Sequence, residues 1–309
     1  MRIAVMGTGG LGGFYGGNLA KEGNDISFIA RGDHLKVLQR SGLRLVGPEG
    51  STHIKNIVAT HLPEDIGLVD IILFCVKLYD VEEAAKLIKP IVSKHTVIIS
   101  VLNGINGPER LSKVLKKSII FGGAARVSAK LSEPGIVTFL GKRENHKLIF
   151  GHPDNINLAI VQEFCNTCNK SGFPAEITDN INIELWDKLV QLTHVAGLTT
   201  LARCSIGSVL KDSALFKIGK DLLIEVESVA RAKGIALDPD IIQKKIKLIC
   251  SFPEGLYASM YHDLVSRKKI EVEDIFGYLS RQGREVSVKT PTIDFVYAFL
   301  KPYKNGDKE

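Results

Sequence analysis

Long apolar runs, a cysteine framework, internal repeats and a strong charge of either sign are all missing from this 309-residue chain. Each absence narrows what it does. The strongest apolar stretches, such as Leu68 to Val76, are far shorter than the roughly 20 residues that cross a bilayer, so no membrane partner is expected. The five cysteines (Cys75, Cys165, Cys168, Cys204, Cys250) are odd in number and irregular in spacing, so they form no disulfide framework. Cys165-Asn-Thr-Cys168 has the CxxC spacing, but it lies late in a helix-like stretch, Ile160 to Lys170. No second pair or nearby His completes a zinc site there, and two small buried helix residues are the plainer reading. No metal is expected elsewhere. Forty Lys and Arg against 34 Asp and Glu leave a formal charge of only +6. The basic clusters Arg267-Lys268-Lys269 and Lys244-Lys245-Lys247 are short, fall in helical patterns and lack interleaved aromatics. They read as solvated helix faces, and no nucleic-acid partner is expected. With 45% hydrophobic and 24% charged residues, disorder is expected only in the polar tail Lys304 to Glu309. Met1-Arg2 runs straight into an apolar strand pattern with no room for a cationic leader, which points to the cytoplasm.

What is present is sharpest in the first thirty residues. Arg2 to Met6 reads as a strand, Gly7-Thr8-Gly9-Gly10-Leu11-Gly12 follows, Gly13 to Glu22 reads as a helix, and Asp25 to Ala30 as a second strand after the Gly23-Asn24 turn. The spacing has a physical rationale. Gly7 permits the tight strand-to-helix turn, and Gly9 lets the backbone approach a pyrophosphate with no Cβ in the way. Gly12 allows close helix–strand contact, while the helix N-terminus offers N–H donors to the phosphates. GxGxxG alone is a weak signal; between two strands and a helix it becomes a strong one, with a purely structural glycine turn as the alternative. The cofactor is then read from the end of the second strand. An acid there would bond a ribose 2′-hydroxyl, whereas a 2′-phosphate needs a cation. Here Ala30-Arg31-Gly32-Asp33-His34 offers Arg31, whose planar fork suits a phosphate; Asp33, the counter-signal, lies past the turn. The expectation is NADP(H).

Strand and helix patterns keep alternating, which predicts an α/β fold with a Rossmann-type, doubly wound parallel sheet over residues 1–180. Strands are expected at Asp70 to Val76, Thr96 to Leu102 and Ile119 to Ala125. Helices are expected at Asp80 to Ile88 and Pro108 to Leu115. The stretches Gly135 to Leu140 and Lys147 to Phe150 look antiparallel. Ligands of such sheets bind beyond the carboxyl ends of the strands, which singles out Lys77 and Asn103, although a solvated lysine and an ordinary Asn-Gly turn would look the same. From about Ile181 the β texture stops. Glu184 to Leu201, Asp212 to Lys233, Pro239 to Cys250, Tyr257 to Arg267, Val272 to Gln282 and Thr292 to Leu300 all read as helices, so residues 181–309 form a helical domain. Its stretch Leu222, Leu223, Val226, Val229, Ala230 has the spacing of a buried face. A substrate cleft between the two domains is the expected arrangement.

In order and spacing, these landmarks resemble the ketopantoate reductase (2-dehydropantoate 2-reductase) family over nearly the whole chain. The matching features are the N-terminal GxGxxG, Ala30-Arg31-Gly32-x-His34, Val76-Lys77 and Asn103-Gly104. In the helical half they are Glu184-Leu-Trp186-x-Lys188-Leu189, Ser259-Met260-x-x-Asp263, and Glu271 ahead of Gly277. The resemblance implies reduction of the 2-keto group of ketopantoate by NADPH, giving pantoate for coenzyme A synthesis. It implies Lys188 as the lysine that polarises the carbonyl and donates a proton, and Glu271 as the acid that holds that lysine. It also implies Ser259 as a substrate hydrogen-bonder, Asn103 beside nicotinamide and substrate, and Lys77 in the cofactor cleft. Read without the family, Lys188 is an amphipathic helix cation, Glu271 an exposed acid and Ser259 a small packing residue. The chain departs from the family where asparagines often follow the lysine by one and two turns and precede the Gly277 position: Leu192, Ala196 and Phe276 stand there. Gln191, Thr193 and His194 point along other helix faces. A reductase of another, less hydroxylated 2-keto acid is therefore the alternative, and a non-catalytic NADP(H)-sensing protein is the rival of a different class. A homodimer through the helical domain is compatible with the pattern, which does not require one.

Overall fold

Short β-branched runs closed by glycine or polar residues become strands because extended backbone suits their stiff side chains. In the computed structural model, which describes residues 1–116 and 118–306, twelve strands form. They are β1 (Arg2–Met6), β2 (Asp25–Ile29), β3 (Leu43–Gly47), β4 (Gly50–Ile54), β5 (Val58–Thr60), β6 (Ile71–Phe74), β7 (Val97–Ser100), β8 (Ile119–Arg126), β9 (Ser128–Glu133), β10 (Ile136–Leu140), β11 (Lys147–Gly151) and β12 (Ala175–Ile177). Five helices accompany them: α1 (Gly10–Lys21), α2 (Gly32–Ser41), α3 (Val81–Leu87), α4 (Gly107–Val114) and α5 (Ala159–Lys170). The chain divides into two compact units, Met1–Ile181 and Asn182–Glu309.

Eight strands of the first unit make one sheet in the order β12-β11-β8-β7-β6-β1-β2-β5. All neighbours are parallel except β8 and β11. Strands β6 and β7 are buried along their whole length, as expected of a parallel sheet covered on both faces. The chain leaves β1 to one side for β2 and returns to the other side for β6, so β1 is the point where the winding reverses. This is the Rossmann-like topology anticipated from the strand–helix alternation. Cys165 and Cys168 on α5 are buried, and burial pushes both thiols up. Among the described residues no group of three or more His, Cys, Asp or Glu is placed to hold a metal.

Of a second sheet, β4-β3-β10-β9, only the β10 stretch was anticipated. β4 and β9 are mostly exposed, so no apolar run announces them. β10 runs antiparallel to β9 but parallel to β3, so the antiparallel expectation for that stretch holds on one side only. This sheet explains the glycine content of α1, a residue that costs a helix about 1 kcal/mol at each position. A Cβ on Gly16 would meet Val5 and Phe28 of the large sheet at 2.7 Å. On Gly13 it would meet Val137 at 2.6 Å, and on Gly17 Leu43 at 2.9 Å, both in the small sheet. α1 is thus pressed between two sheets, buried from Gly12 to Leu19, and the contact offsets its poor propensity. The helix also starts three residues earlier than its sequence suggests, directly on the glycine turn.

The second unit is helical: α6 (Ile181–Leu201), which starts at the boundary, α7 (Ile206–Lys211), α8 (Ser213–Ala232), α9 (Ile241–Cys250), α10 (Ser259–Val265), α11 (Tyr278–Glu285) and α12 (Pro291–Leu300). The predicted face of α8 (Leu222, Leu223, Val226, Val229, Ala230) is buried throughout. From the same helix the buried carboxylate of Glu225 accepts the backbone N–H groups of Thr292 and Ile293, both at 2.8 Å, and so caps α12. Two glycines set the approach to α6. Gly219 of α8 gives room to the His194 imidazole, and Gly197 of α6 leaves space for the Phe276 ring, which would lie 3.0 Å from a Cβ. Phe276 belongs to a π-helical segment, Glu273–Gly277, where one ordinary α-helix running into α11 was expected. That wider turn is held by Glu273, which accepts from Tyr297 Oη at 2.7 Å and from Arg281 Nη1 at 2.6 Å. Lys304 to Gly306, expected to be disordered, are instead placed. The Lys304 carbonyl accepts from Ile270 N–H at 3.2 Å, and Gly306 is buried. Residues 307–309 of that tail lie outside the described residues. No helix among the described residues is long and apolar enough to cross a membrane.

His194 makes the helical unit acid-sensitive. It is 2% exposed, its Nδ1 has no hydrogen-bond partner, and burial lowers its pKa from 6.5 to about 4. The unfolded chain takes up this proton near pH 6.5 and the folded chain only near pH 4. Stability from this group is therefore complete above pH 6.5 and drains away as pH falls toward 4, by about 3 kcal/mol in all. Denaturant titrations at pH 7.5 and 4 should show a smaller loss (by about that amount) in His194→Leu than in the parent. Equal losses would remove His194 as the cause.

Candidate active site

Four successive parallel strands of the first unit, β7, β6, β1 and β2, deliver candidate residues to one carboxyl edge. After β1, Gly7 has φ +90°, a left-handed conformation open to glycine. The Gly7 and Thr8 amides both donate to Ile29 O at 3.3 Å, and Thr8 Oγ1 donates to the same carbonyl at 3.1 Å, so the turn is lashed to the end of β2. A Cβ on Gly12 would run into the Gly7 carbonyl, and one on Gly10 into the Ala129 carbonyl of β9. Leu11 is half-buried against the core. Gly9 is different. As the N-cap of α1 it is extended at φ −82°, and nothing lies within 4 Å of where its Cβ would be. No side chain caps the helix, and its first turn holds no acid. The opening therefore faces uncapped N–H groups and the positive end of a helix, an arrangement that takes a phosphate.

Past β2, Arg31 is the N-cap of α2, strongly exposed, and its Nη2 pairs with Asp80 Oδ2 at 2.8 Å. Asp33 pairs with Lys36 at 3.0 Å on the exposed first turn of α2. His34, which closes the Ala30-Arg31-Gly32-x-His34 segment, bridges two backbones. Gly135 N–H donates to Nδ1 at 2.9 Å, so Nε2 carries the hydrogen and donates to Thr8 O at 2.7 Å. The ring thereby ties the glycine turn to the β9–β10 hairpin. Burial lowers its pKa, against a smaller opposing effect of the Thr8 carbonyl. Past β6, half-buried Lys77 opens the short 3-10 turn Leu78–Asp80. Past β7, Asn103 is half-buried just ahead of Gly104, whose φ is +82°.

The remaining candidates lie in the helical unit, each on its own element. Lys188 is half-buried on α6. Beside it in sequence, Asp187 accepts from Lys245 Nζ of α9 at 2.6 Å, and that lysine is 4% exposed. The sequence places Lys245 on a solvated basic face; the structure instead buries it against Asp187, a partner 58 residues away that the helical pattern does not reveal. Glu271 is 3% exposed, directly ahead of the π-helical segment, and its carbonyl accepts from Ile275 N–H at 3.0 Å. A carboxyl buried that deeply is no ordinary exposed acid. Ser259 is exposed as the first residue of α10, whose start is pinned to α6 by Ala258 N–H donating to Thr199 Oγ1 at 3.2 Å. Leu192 is half-buried, Ala196 buried and Phe276 completely buried.

Such a sheet, with this edge, defines a Rossmann-type dinucleotide-binding domain. The family model of ketopantoate reductase PanE/ApbA matches residues 3–155, and that of the ketopantoate reductase PanE/ApbA C terminal matches residues 180–304. The uncharacterized oxidoreductase YkpB of Bacillus subtilis (strain 168) is 26% identical over 98% of this chain and 99% of its own length. A solved 2-dehydropantoate 2-reductase from Geobacter metallireducens GS-15 shares 25% identity at TM-score 0.91, covering 98% of this chain and 99% of the other. A D-mandelate dehydrogenase solved with NADH and anilino(oxo)acetate shares 25% at TM-score 0.88, covering 98% of each. The chain belongs to the ketopantoate reductase family of oxidoreductases.

His34→Ala removes the two hydrogen bonds by which this ring ties the turn to the β9–β10 hairpin. Dinucleotide binding should weaken about tenfold while kcat at saturation is largely kept, as read from KM and kcat separately. An unchanged KM would show that the turn does not depend on this ring.

Proposed function

We propose that the chain is a cytoplasmic, NADPH-dependent 2-keto acid reductase, with 2-dehydropantoate as its leading substrate and pantoate for coenzyme A synthesis as its product. The observation that carries this reading is family membership across both units; the sequence motifs around Lys188 and Glu271 resemble those that carry the family's lysine and acid, which supports the roles given to them. The N-terminal edge fits the dinucleotide. Gly9 leaves open space before an uncapped helix N-terminus, with no acid in the first turn to repel a pyrophosphate. Arg31 follows β2 as the cation for a 2′-phosphate. Lys77 lines the cofactor cleft. A homodimer through the helical unit belongs to the same proposal.

When bound, the nicotinamide supplies a hydride to the 2-keto carbon. The ammonium of Lys188 draws electron density onto the keto oxygen and then gives its proton to the alkoxide that forms there. Glu271 holds Lys188 protonated and aimed; its burial strengthens that attraction. Ser259 donates to the substrate carboxylate, and the Asn103 amide orients the keto acid beside the nicotinamide.

A second reading is favoured by particular residues. Leu192, Ala196 and Phe276 offer no polar group at positions where the family often has asparagines. A buried site that lacks hydrogen-bond partners discriminates poorly in favour of a hydroxylated substrate. The similarity to a D-mandelate dehydrogenase solved with NADH and anilino(oxo)acetate points the same way, toward an apolar or aryl side chain on the keto acid.

Loss of NADPH absorbance should be fastest with 2-dehydropantoate, slower with aliphatic and aryl 2-keto acids, and slower again with NADH. Selective turnover of an aryl or aliphatic keto acid would move the function to the second reading. Lys188→Ala should lower kcat by about 10²–10⁴-fold with NADPH binding retained. Full turnover by that variant would exclude Lys188 as the proton donor.

A further inference from the structure

Arg31 does not stand alone at the end of β2. Its guanidinium is joined to Asp80, 49 residues further on, at 2.8 Å. Arg31 follows β2 and Asp80 closes the short turn after β6, and these are the two strands that flank β1. The ion pair therefore connects the segments on either side of the glycine turn, at the edge proposed for the adenosine half of the dinucleotide. The two partners differ in freedom. The Arg31 side chain is 83% exposed and that of Asp80 22%, so the carboxylate is anchored and the guanidinium can move. Asp80 is also the N-cap of α3 without capping it through its side chain, which leaves its carboxylate turned to Arg31 rather than spent on the helix.

We propose that Asp80 is a specificity-determining residue, which restrains the preference of this chain for NADPH over NADH by competing for Arg31. The inference rests on the dinucleotide reading above. A 2′-phosphate carries close to two negative charges and can engage Arg31 only by drawing it away from a fixed carboxylate that also repels the phosphate. A ribose 2′-hydroxyl meets neither cost and can donate to a carboxylate, as acids near this edge do in NAD-preferring domains. Because exposed ion pairs are weak, Arg31 is not locked away; the effect is a bias and not a block. The arrangement gives one chain two partners for the 2′ position, a mobile cation and an anchored anion.

The test is calorimetric titration of NADPH and NADH, without substrate, into the parent, Asp80→Asn, Arg31→Ala and the double variant, with Asp80→Ser as a second removal of the charge. Removing the carboxylate should tighten NADPH roughly three- to tenfold, the weight of one exposed charge pair plus a relieved repulsion, and leave NADH unchanged or weaker. In the Arg31→Ala background the same removal should give at most the smaller part of that gain, because no guanidinium is left to release. An unchanged NADPH-to-NADH ratio in both Asp80 variants would overturn the proposal, as would a full gain without Arg31. Binding of neither nucleotide to the folded parent would overturn the dinucleotide reading and this inference with it. Selective loss in the Asp80 variants would overturn the inference alone.

Discussion

The rest of the N-terminal unit depends on one constraint, the close approach of backbone to backbone where β1 turns into α1. Gly7 occupies a left-handed conformation there, and Gly12 leaves no room for a Cβ beside the Gly7 carbonyl. The turn can be this tight only if the helix behind it lies almost on the strands, which explains the later glycines of α1. The small sheet clamps that helix from its other side. Its hairpin also supplies Gly135, which with Thr8 holds the His34 ring in one tautomer. A sheet with no sequence motif of its own thereby steadies the glycine turn.

The helical unit obtains its rigidity by related means. Small residues let large or polar groups enter between helices: His194 opposite Gly219 and Phe276 opposite Gly197. Phe276 sits within the π-helical segment that follows Glu271, and π turns often occur near functional groups because they re-aim side chains at a local cost. Glu225 capping α12 and Lys245 paired with Asp187 satisfy charges that would otherwise be expensive to bury. The proposed chemistry depends on such order, since a proton donor must be held to within a fraction of an ångström of its acceptor.

The first unit's main sheet and the long helices were legible because their physics is local. GxGxxG between strands has few other uses, and the α8 stripe repeats at helical spacing. The small sheet was legible only at β10, since β4 and β9 are largely exposed and carry no apolar run. The π segment was hidden for another reason: a widened turn of five residues leaves the apolar spacing of a helix almost intact. Partners distant in sequence were invisible too, notably Asp80 for Arg31 and Gly135 for His34. Lys188, Glu271 and Ser259 were singled out by resemblance and not by pattern. A helix-borne ammonium carries no local mark of catalysis, and only the burial of Glu271 sets that acid apart once the fold is known.

The open space at Gly9 offers the most direct trial of the account. Its backbone is extended at negative φ and nothing lies within 4 Å of a Cβ there, so Gly9→Ala is compatible with the fold. Its stability should change by no more than about 1 kcal/mol. If the pyrophosphate seats against this residue, the same methyl group takes the ligand's place, and the Kd for NADPH should rise at least about tenfold, or roughly 1.4 kcal/mol. A folded Gly9→Ala protein that binds NADPH as tightly as its parent would contradict the assignment of this edge as the dinucleotide site.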